Sequence, residues 1–68
     1  MDAGILLEVA VMQDAYSAAQ RANTLSKKRI CEICVPFKDK YGLSDLDTLK
    51  LARNEYSLSE MIKLLKIE

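Results

Sequence analysis

Histidine is absent from this chain of 68 residues, and cysteine occurs only at Cys31 and Cys34. A structural zinc site takes four ligands, so two thiolates without a histidine fall short of one in a single chain. Histidine is also the side chain that general acid–base catalysis uses most often. Four of the ten acidic residues have structural positions at predicted helix starts and on polar faces; they are Asp45, Asp47, Glu55 and Glu60. We therefore expect no enzyme, no metal site and no cofactor.

Glycine and proline are also scarce, with two glycines and one proline. Disordered and low-complexity segments are rich in such residues and poor in apolar ones, whereas this chain is 50% hydrophobic and 29% charged. The composition predicts a folded globular protein, and the length predicts one domain over residues 1–68. A domain this small buries only about 60% of the surface of its unfolded chain, so we expect a partner subunit to add stability.

An excess of either charge is missing, because 10 basic residues balance 10 acidic ones. Nucleic-acid-binding proteins usually carry a basic excess, since phosphate contacts supply much of their affinity. We therefore do not expect nucleic acid as the main partner. The apolar start, MDAGILLEVAVM, has Asp2 before the run and Glu8 within it, and is too short to cross a bilayer. We expect no export signal, no membrane association and a cytoplasmic location, where thiols stay reduced.

The sequence does contain helical periodicity, with apolar residues recurring every three or four positions and no strand-like alternation. Pro36 has no N–H to donate to the carbonyl of Glu32, so the second helix is expected to kink or restart there. The pattern predicts a compact all-α bundle of three to four helices over residues 3–23, 26–41, 45–53 and 58–67.

Short polar side chains and one glycine indicate where these helices begin and end. Gly42 is the predicted C-terminal stop of the second helix. Ser57 followed three residues later by Glu60 matches a capping box and predicts the start of the fourth helix. The other predicted N-caps are Asp2, Ser26 and Ser44.

The periodicity also assigns a buried face to each helix. The first helix carries two neighbouring apolar stripes, one of Ile5, Val9, Met12, Tyr16 and Ala19 and one of Leu7, Val11, Ala15, Ala18 and Ala22. The other predicted core residues are Ile30, Ile33, Cys34, Phe37 and Tyr41, then Leu46, Leu49 and Ala52 or Leu51, and finally Leu58, Met61, Ile62 and Leu65. Two stripes present more apolar surface than three short neighbours can cover. We therefore predict a homo-oligomer, most simply a two-fold dimer, built largely through the first helix.

A basic triplet, Lys27-Lys28-Arg29, follows Ser26. If Ser26 caps the second helix, the three cations lie in its first turn, where the helix dipole disfavours them by roughly 0.3–1 kcal/mol each. Either the carbonyl groups at the end of the first helix offset this cost, or the cations meet an acidic partner or a phosphate. The complete set of candidate interaction residues is Ile5, Val9, Val11, Met12, Tyr16, Lys27, Lys28 and Arg29.

The two cysteines are three positions apart, so a helix directs both to roughly the same side. A thioredoxin-like pair has its first cysteine at a helix N-terminus after a strand, and no strand pattern precedes Cys31. We predict partly buried, unreactive thiols. Two alternatives stay open: a metal site or disulfide shared between two chains, and redox chemistry within one chain.

Residues 48–67, TLKLARNEYSLSEMIKLLKI, resemble the first two helices of the LuxR/FixJ-type helix-turn-helix. The family pattern Val-Leu-x-Leu, Ser-x-x-Glu-Ile-Ala and Leu-x-Ile is echoed by Leu49, Leu51, Ser57, Glu60, Met61, Leu65 and Ile67. The resemblance implies a DNA-binding element whose recognition helix would enter the major groove. Lys66 replaces the family's turn glycine, Glu68 replaces its serine, and we expect no recognition helix to follow.

These observations together predict a small cytoplasmic, non-catalytic interaction or regulatory protein that binds other proteins through its helices and associates with itself. The alternative is a small DNA-associated transcriptional regulator that uses a degenerate helix-turn-helix at residues 48–67 and the basic triplet. No residue pattern identifies the partner protein.

Overall fold

The structure is a computed structural model that describes residues 3–66, with side chains from residue 4 onward. These residues form four helices and no strands: α1 (Ala3–Arg21), α2 (Lys27–Tyr41), α3 (Asp45–Ala52) and α4 (Leu58–Leu65). The all-α prediction is confirmed, and every helix bound lies within two residues of the predicted one. The predicted N-cap Asp2 lies outside the described residues.

Serine side chains begin three of the helices, as predicted. Ser26 and Ser44 each accept, at 3.1 Å, a hydrogen bond from the backbone N–H three positions further on. At α4 the capping box is complete, since Ser57 Oγ accepts from the N–H of Glu60 at 3.3 Å and Glu60 Oε1 accepts from the N–H of Ser57 at 3.1 Å. Each bond satisfies a backbone donor that the first turn of a helix leaves without an intrahelical partner.

The described helices are all followed by a residue in the left-handed conformation. These residues are Asn23 (φ 57°), Gly42 (φ 64°), Asn54 (φ 59°) and Lys66 (φ 56°). Glycine and asparagine are the residues that most readily adopt it. After α1 the N–H of Thr24 returns to the carbonyl of Ala19 at 2.9 Å. This turn ends α1 at Arg21, two residues before the predicted bound.

The core lies where α1, α2 and α3 meet. One stripe of α1 and the face predicted on α2 contribute to it. The buried residues are Val9, Met12, Tyr16, Ala19, Cys34, Phe37, Thr48, Leu51 and Ala52. No side chain of α4 is fully buried; Met61, Leu64 and Leu65 pack half-buried against the core. The first three helices therefore form the core, and α4 covers part of it.

Two of the core residues predicted on α3 and α4 are wrong: Leu46 is 63% exposed and Leu58 is 60% exposed. Thr48 takes the inward position on α3 and is 1% exposed. Because an α-helix turns about 100° per residue, Leu46 faces nearly away from Thr48. The threonine hydroxyl donates to the carbonyl of Ser44 at 2.9 Å, so it is satisfied within the helix and can be buried. Leu58 is the first residue of α4, beside its exposed cap.

Pro36, the predicted site of a kink or restart, lies inside one continuous helix. Its side chain is exposed. The helix therefore continues through the proline, and its exposed ring lies at the surface between α1 and α2.

Candidate interaction surface

An open apolar groove of about 480 Å³ lies between α1 and α2. Met12 and Phe37 are mostly buried in it, at 4% and 7% exposed, whereas Leu7 and Val11 are 67% and 63% exposed. We call this surface the α1–α2 groove. Its apolar lining consists of Leu7, Val11, Met12, Ala15, Ile33, Pro36 and Phe37. The groove therefore combines a floor that belongs to the core with walls that are open to solvent.

The two predicted stripes of α1 have different surroundings. Val9, Met12 and Tyr16 are buried within the chain, where they pack in the core. Ile5 is half-buried. Val11 is thus the one candidate interaction residue of α1 that is freely exposed. Val9 and Tyr16 are buried in the core of the single chain and are not available to a partner. Met12 contributes to both the core and the groove.

Charged side chains border the groove at Glu8, Arg29, Glu32 and Lys40. Lys40 Nζ lies 2.6 Å from Glu8 Oε1, and the hydroxyl of Tyr41 donates to Glu8 Oε2. The bond from Lys40, and next that from Tyr41, lower the pKa of the Glu8 carboxyl. The same contacts with Glu8 raise the pKa of Lys40 and of Tyr41. These bonds tie α1 to α2, whereas Arg29 and Glu32 form no ion pair with any described residue.

The basic triplet Lys27-Lys28-Arg29 is exposed in the first turn of α2. Within the described part of the chain, none of the three cations forms an ion pair. The carbonyls of residues 18–20 at the end of α1 accept hydrogen bonds from the backbone N–H groups of residues 22–24. Among the described residues, no hydrogen bond links a side chain of the triplet to these carbonyls, and the electrostatic offset by the end of α1 stays a prediction.

The two cysteines differ in burial. Cys34 is 7% exposed and belongs to the core; burial, and secondly its neighbour Cys31, raise the pKa of its thiol. A raised thiol pKa disfavours the reactive thiolate. Cys31 is exposed, so the prediction that both thiols are partly buried is wrong for Cys31. It lies about 100° around the helix from Ile30, outside the buried stripe. Both cysteines line a small open cavity between α2 and α3, and the alternative of a metal site shared by two chains stays open.

Helices α3 and α4 occupy the segment that resembles a helix-turn-helix, and the predicted capping box at Ser57 is present. Lys66 adopts the left-handed conformation at the end of α4, so a lysine forms the turn for which the family uses glycine. Ile67 and Glu68 lie outside the described residues.

Sequence reasoning missed the polar links between helices, including two that join α1 to α3 and to α2. Gln13 Nε2 donates to the carbonyl of Leu51 at 3.0 Å and to Asn54 Oδ1 at 3.3 Å, which joins α1 to the end of α3. The bond from Tyr41 to Glu8 joins α2 to α1. The partners are more than 30 residues apart along the chain. No local pattern indicates such pairs, because helix periodicity relates only neighbouring positions.

No protein-family model, curated protein or solved structure matches this chain. None of the described helices has the length and apolar character needed to cross a membrane. The structure thus defines a class: a small all-α domain that carries an open apolar groove with a charged border.

Proposed function

We propose that this chain is a small, non-catalytic interaction protein that associates with itself through the α1–α2 groove, most simply as a two-fold dimer. One observation carries the proposal: Leu7 and Val11 are 67% and 63% exposed beside the apolar lining of the groove. Single exposed apolar residues are ordinary, but contiguous apolar patches mark interaction sites. Burial of both side chains against a partner is favourable through the hydrophobic effect.

A second copy of the chain suits the charges at the border of the groove. Arg29 and Lys40 are cationic, and Glu8 and Glu32 are anionic. A two-fold interface brings the same surface of both copies together, so a border of mixed sign is complementary to itself. Because Glu8 and Lys40 already pair within the chain, Arg29 and Glu32 are the charges left to meet across the interface. A strongly acidic or basic partner would be repelled by half of this border.

The size of the molecule is compatible with such an interface. The 19 residues of α1 extend about 28 Å at 1.5 Å per residue, which is most of the 36 Å length of the molecule. Each partner in a standard interface contributes about 800 Å², less than a fifth of the 4688 Å² surface of one chain. Association would also stabilise a domain that is small enough to be only marginally stable alone.

The substitution Val11→Asp tests this proposal. It places an unpaired charge in the centre of the interface, while the exposure of Val11 in the single chain allows α1 to stay folded. Leu46→Asp is the matched control, because Leu46 is also 63% exposed but lies on α3 outside the groove. Sedimentation velocity at tens of micromolar should give a dimer for the unmodified protein and for Leu46→Asp, and a folded monomer for Val11→Asp. A folded monomer for the unmodified protein would contradict the proposal.

A charge exchange at the border gives a second measurement. Arg29→Glu or Glu32→Arg alone should weaken the dimer, because like charges then face each other in the two-fold arrangement. The double variant should restore much of the association by returning opposite charges to that contact. Equal dissociation constants for all four forms would show that these two residues do not meet across the interface.

A small DNA-associated regulator is the second candidate, favoured by the exposed basic triplet, which forms no ion pair with the described residues. Because the net charge is zero, we expect affinity for random duplex DNA of about 10⁻⁴ M or weaker at physiological salt. A gel shift at low micromolar protein in such salt decides between the two candidates. A shift that disappears when Lys27, Lys28 and Arg29 are all changed to Ala would favour the DNA-associated regulator.

A further inference from the structure

A second apolar surface, with a cavity of about 240 Å³, lies between α2 and α3. We call this surface the α2–α3 slot. Its apolar lining consists of Ile30, Cys31, Cys34, Val35 and Leu49. The α2 residues that line the slot differ from those that line the α1–α2 groove. The helix α2 therefore presents two separate surfaces.

The α2–α3 slot has a buried floor and an open wall. Cys34 and Thr48 are 7% and 1% exposed, whereas Val35 is 39% exposed. The hydroxyl of Thr48 already donates to the carbonyl of Ser44 at 2.9 Å, so its donor is used within α3. Small-molecule sites usually measure about 300–1,000 Å³, and the slot is smaller. Its size suits one or two apolar side chains of a partner, whose burial the hydrophobic effect favours.

The charges around the α2–α3 slot have a positive surplus. The helix α2 contains five basic and two acidic residues, in a chain that is neutral overall. The charged residues that line the slot are Lys27, Lys38 and Asp45. Lys38 Nζ lies 3.2 Å from Asp45 Oδ1, so these two charges offset each other. Lys27 forms no ion pair with a described residue and is the charge left for a partner.

The unpaired lysine and the apolar lining lie on the same side of α2. Lys27, Cys31 and Cys34 occupy positions i, i+4 and i+7, which share one face of a helix, so Lys27 lies at the N-terminal end of the slot. Lys28 follows it, is exposed and also forms no ion pair with the described residues. A nucleic-acid backbone would contact these cations but leave the apolar lining open to water. An acidic peptide with apolar side chains would contact both.

We propose that the α2–α3 slot binds a short acidic segment of another protein. One or two leucine-like side chains of this segment enter the slot, and its carboxylates contact Lys27 and Lys28. Apolar anchors in pockets supply much of the energy of such contacts, while opposite charges fix the orientation and disfavour basic partners. The carboxylates also offset the unfavourable interaction of the α2 dipole with cations in its first turn. This binding does not depend on self-association through the α1–α2 groove.

An NMR titration of the ¹⁵N-labelled protein tests the site, with acetyl-Glu-Leu-Glu-Glu-Leu-Leu-Glu-amide as the probe. One control peptide replaces every leucine by serine and keeps the charge, and the other replaces every glutamate by lysine and keeps the leucines. We expect saturable shifts at residues 27–38 and 45–49 for the probe alone, with a dissociation constant of about 0.1–1 mM. Absence of binding, shifts in α1 instead of α3, or equal binding of either control peptide would overturn the proposal.

A pair of charge variants separates the slot from the overall charge of the protein. Lys27→Glu should weaken binding of the probe roughly fivefold, because an exposed attraction becomes a repulsion. Lys63→Glu makes the same change in net charge at an exposed position of α4 outside the slot, and should leave the affinity unchanged. Equal weakening in both variants would show that the probe responds only to net charge, which would overturn the proposal.

A pair of apolar positions tests the lining. Val35→Asp places a charge on the open wall and should abolish measurable binding, whereas Leu46→Asp, at an exposed position of α3 outside the slot, should keep it. Unchanged affinity in folded Val35→Asp would overturn the proposal, and Lys27→Glu decides if Val35→Asp does not fold. Val11→Asp should bind the probe as tightly as the unmodified protein does. This last measurement distinguishes a failure of the slot from a failure of self-association.

Discussion

The inward and outward sides of α1 and α2 carry similar residues in different surroundings. Val9 is 2% exposed and Val11, two positions later, is 63% exposed. In α2, Cys34 is buried and Cys31 is exposed. The two residues of each pair are of the same type. The difference in their exposure therefore arises from where each residue lies around its helix relative to the neighbouring helices. Residues of the inward side stabilise the single chain, and those of the outward side are free to contact other molecules.

The largest expected effect is at Val9. Val9→Asp would bury an unpaired charge among α1, α2 and α3, at a cost of more than about 3 kcal/mol, a large part of the stability of a small domain. We expect loss of the helical circular dichroism signal for Val9→Asp. Val11→Asp should keep it at the same concentration. A native spectrum for Val9→Asp would contradict the inward position of this residue.

Two leucines extend the comparison to the second half of the chain. Leu51 is 0% exposed and Leu58 is 60% exposed. Leu51→Ala leaves a cavity and should lower the free energy of unfolding by about 2–5 kcal/mol, whereas Leu58→Ala should change it by less than about 0.5 kcal/mol. Urea unfolding at one fixed protein concentration measures both, since association would make stability depend on concentration. Similar losses for the two variants would show that α4 is packed more tightly at its start than the exposure of Leu58 indicates.

The cysteines should give a smaller difference. Cys34→Ala removes a small buried group and should cost about 1 kcal/mol, while Cys31→Ala should stay within about 0.5 kcal/mol of the unmodified protein. Both variants should keep the helicity and oligomeric state, as followed by circular dichroism and light scattering. Stoichiometric zinc in the purified protein, lost together with the fold on chelation, would contradict the hypothesis of unreactive thiols.

The smallest expected effect is the pH dependence of the contact among Glu8, Lys40 and Tyr41. The pKa of Glu8 is lowered by its partners, so its stabilising contribution is present above the unfolded-state pKa of about 4.3 and is lost as pH falls through the lower folded-state pKa. The pKa values of Lys40 and Tyr41 are raised, so the pH dependence of their contribution to stability is opposite to that of Glu8. The stabilisation from Lys40 and Tyr41 is complete below about pH 10 and is lost as pH rises through their folded-state pKa values.

The variant Glu8→Gln measures this contact. The difference in urea midpoint between Glu8→Gln and the unmodified protein should be small and constant near neutral pH, and should shrink in acid. Added salt should also reduce it, because the charges are exposed to solvent. If the difference in urea midpoint grows as the solution becomes more acidic, the pKa of Glu8 is not lowered in the folded protein.

The apolar residues of the α1–α2 groove could be predicted in part from the sequence, whereas the groove itself could not. Two stripes on the first helix were visible as apolar periodicity, and Val11 was among the predicted interaction residues. The same periodicity includes Leu7 in a stripe, but Leu7 is not one of the predicted interaction residues, and the sequence indicates only a backbone effect for Pro36. The groove exists because α1 and α2 lie side by side with these residues at their junction, which depends on how the helices pack. The hydrogen bond from Gln13 to Asn54 depends in the same way on how α1 packs against the end of α3.

The sequence by itself determined where the helices begin and end. Ser26, Ser44 and Ser57 cap backbone groups only three residues away, and such bonds need no other part of the chain. Tertiary structure decided which apolar residues are buried. Periodicity placed Leu46 in the core and left out Thr48, yet packing reversed the two. The physical reason is that hydrophobic burial has no preferred direction: any apolar face satisfies it, and the fold selects the face that the neighbouring helices can cover.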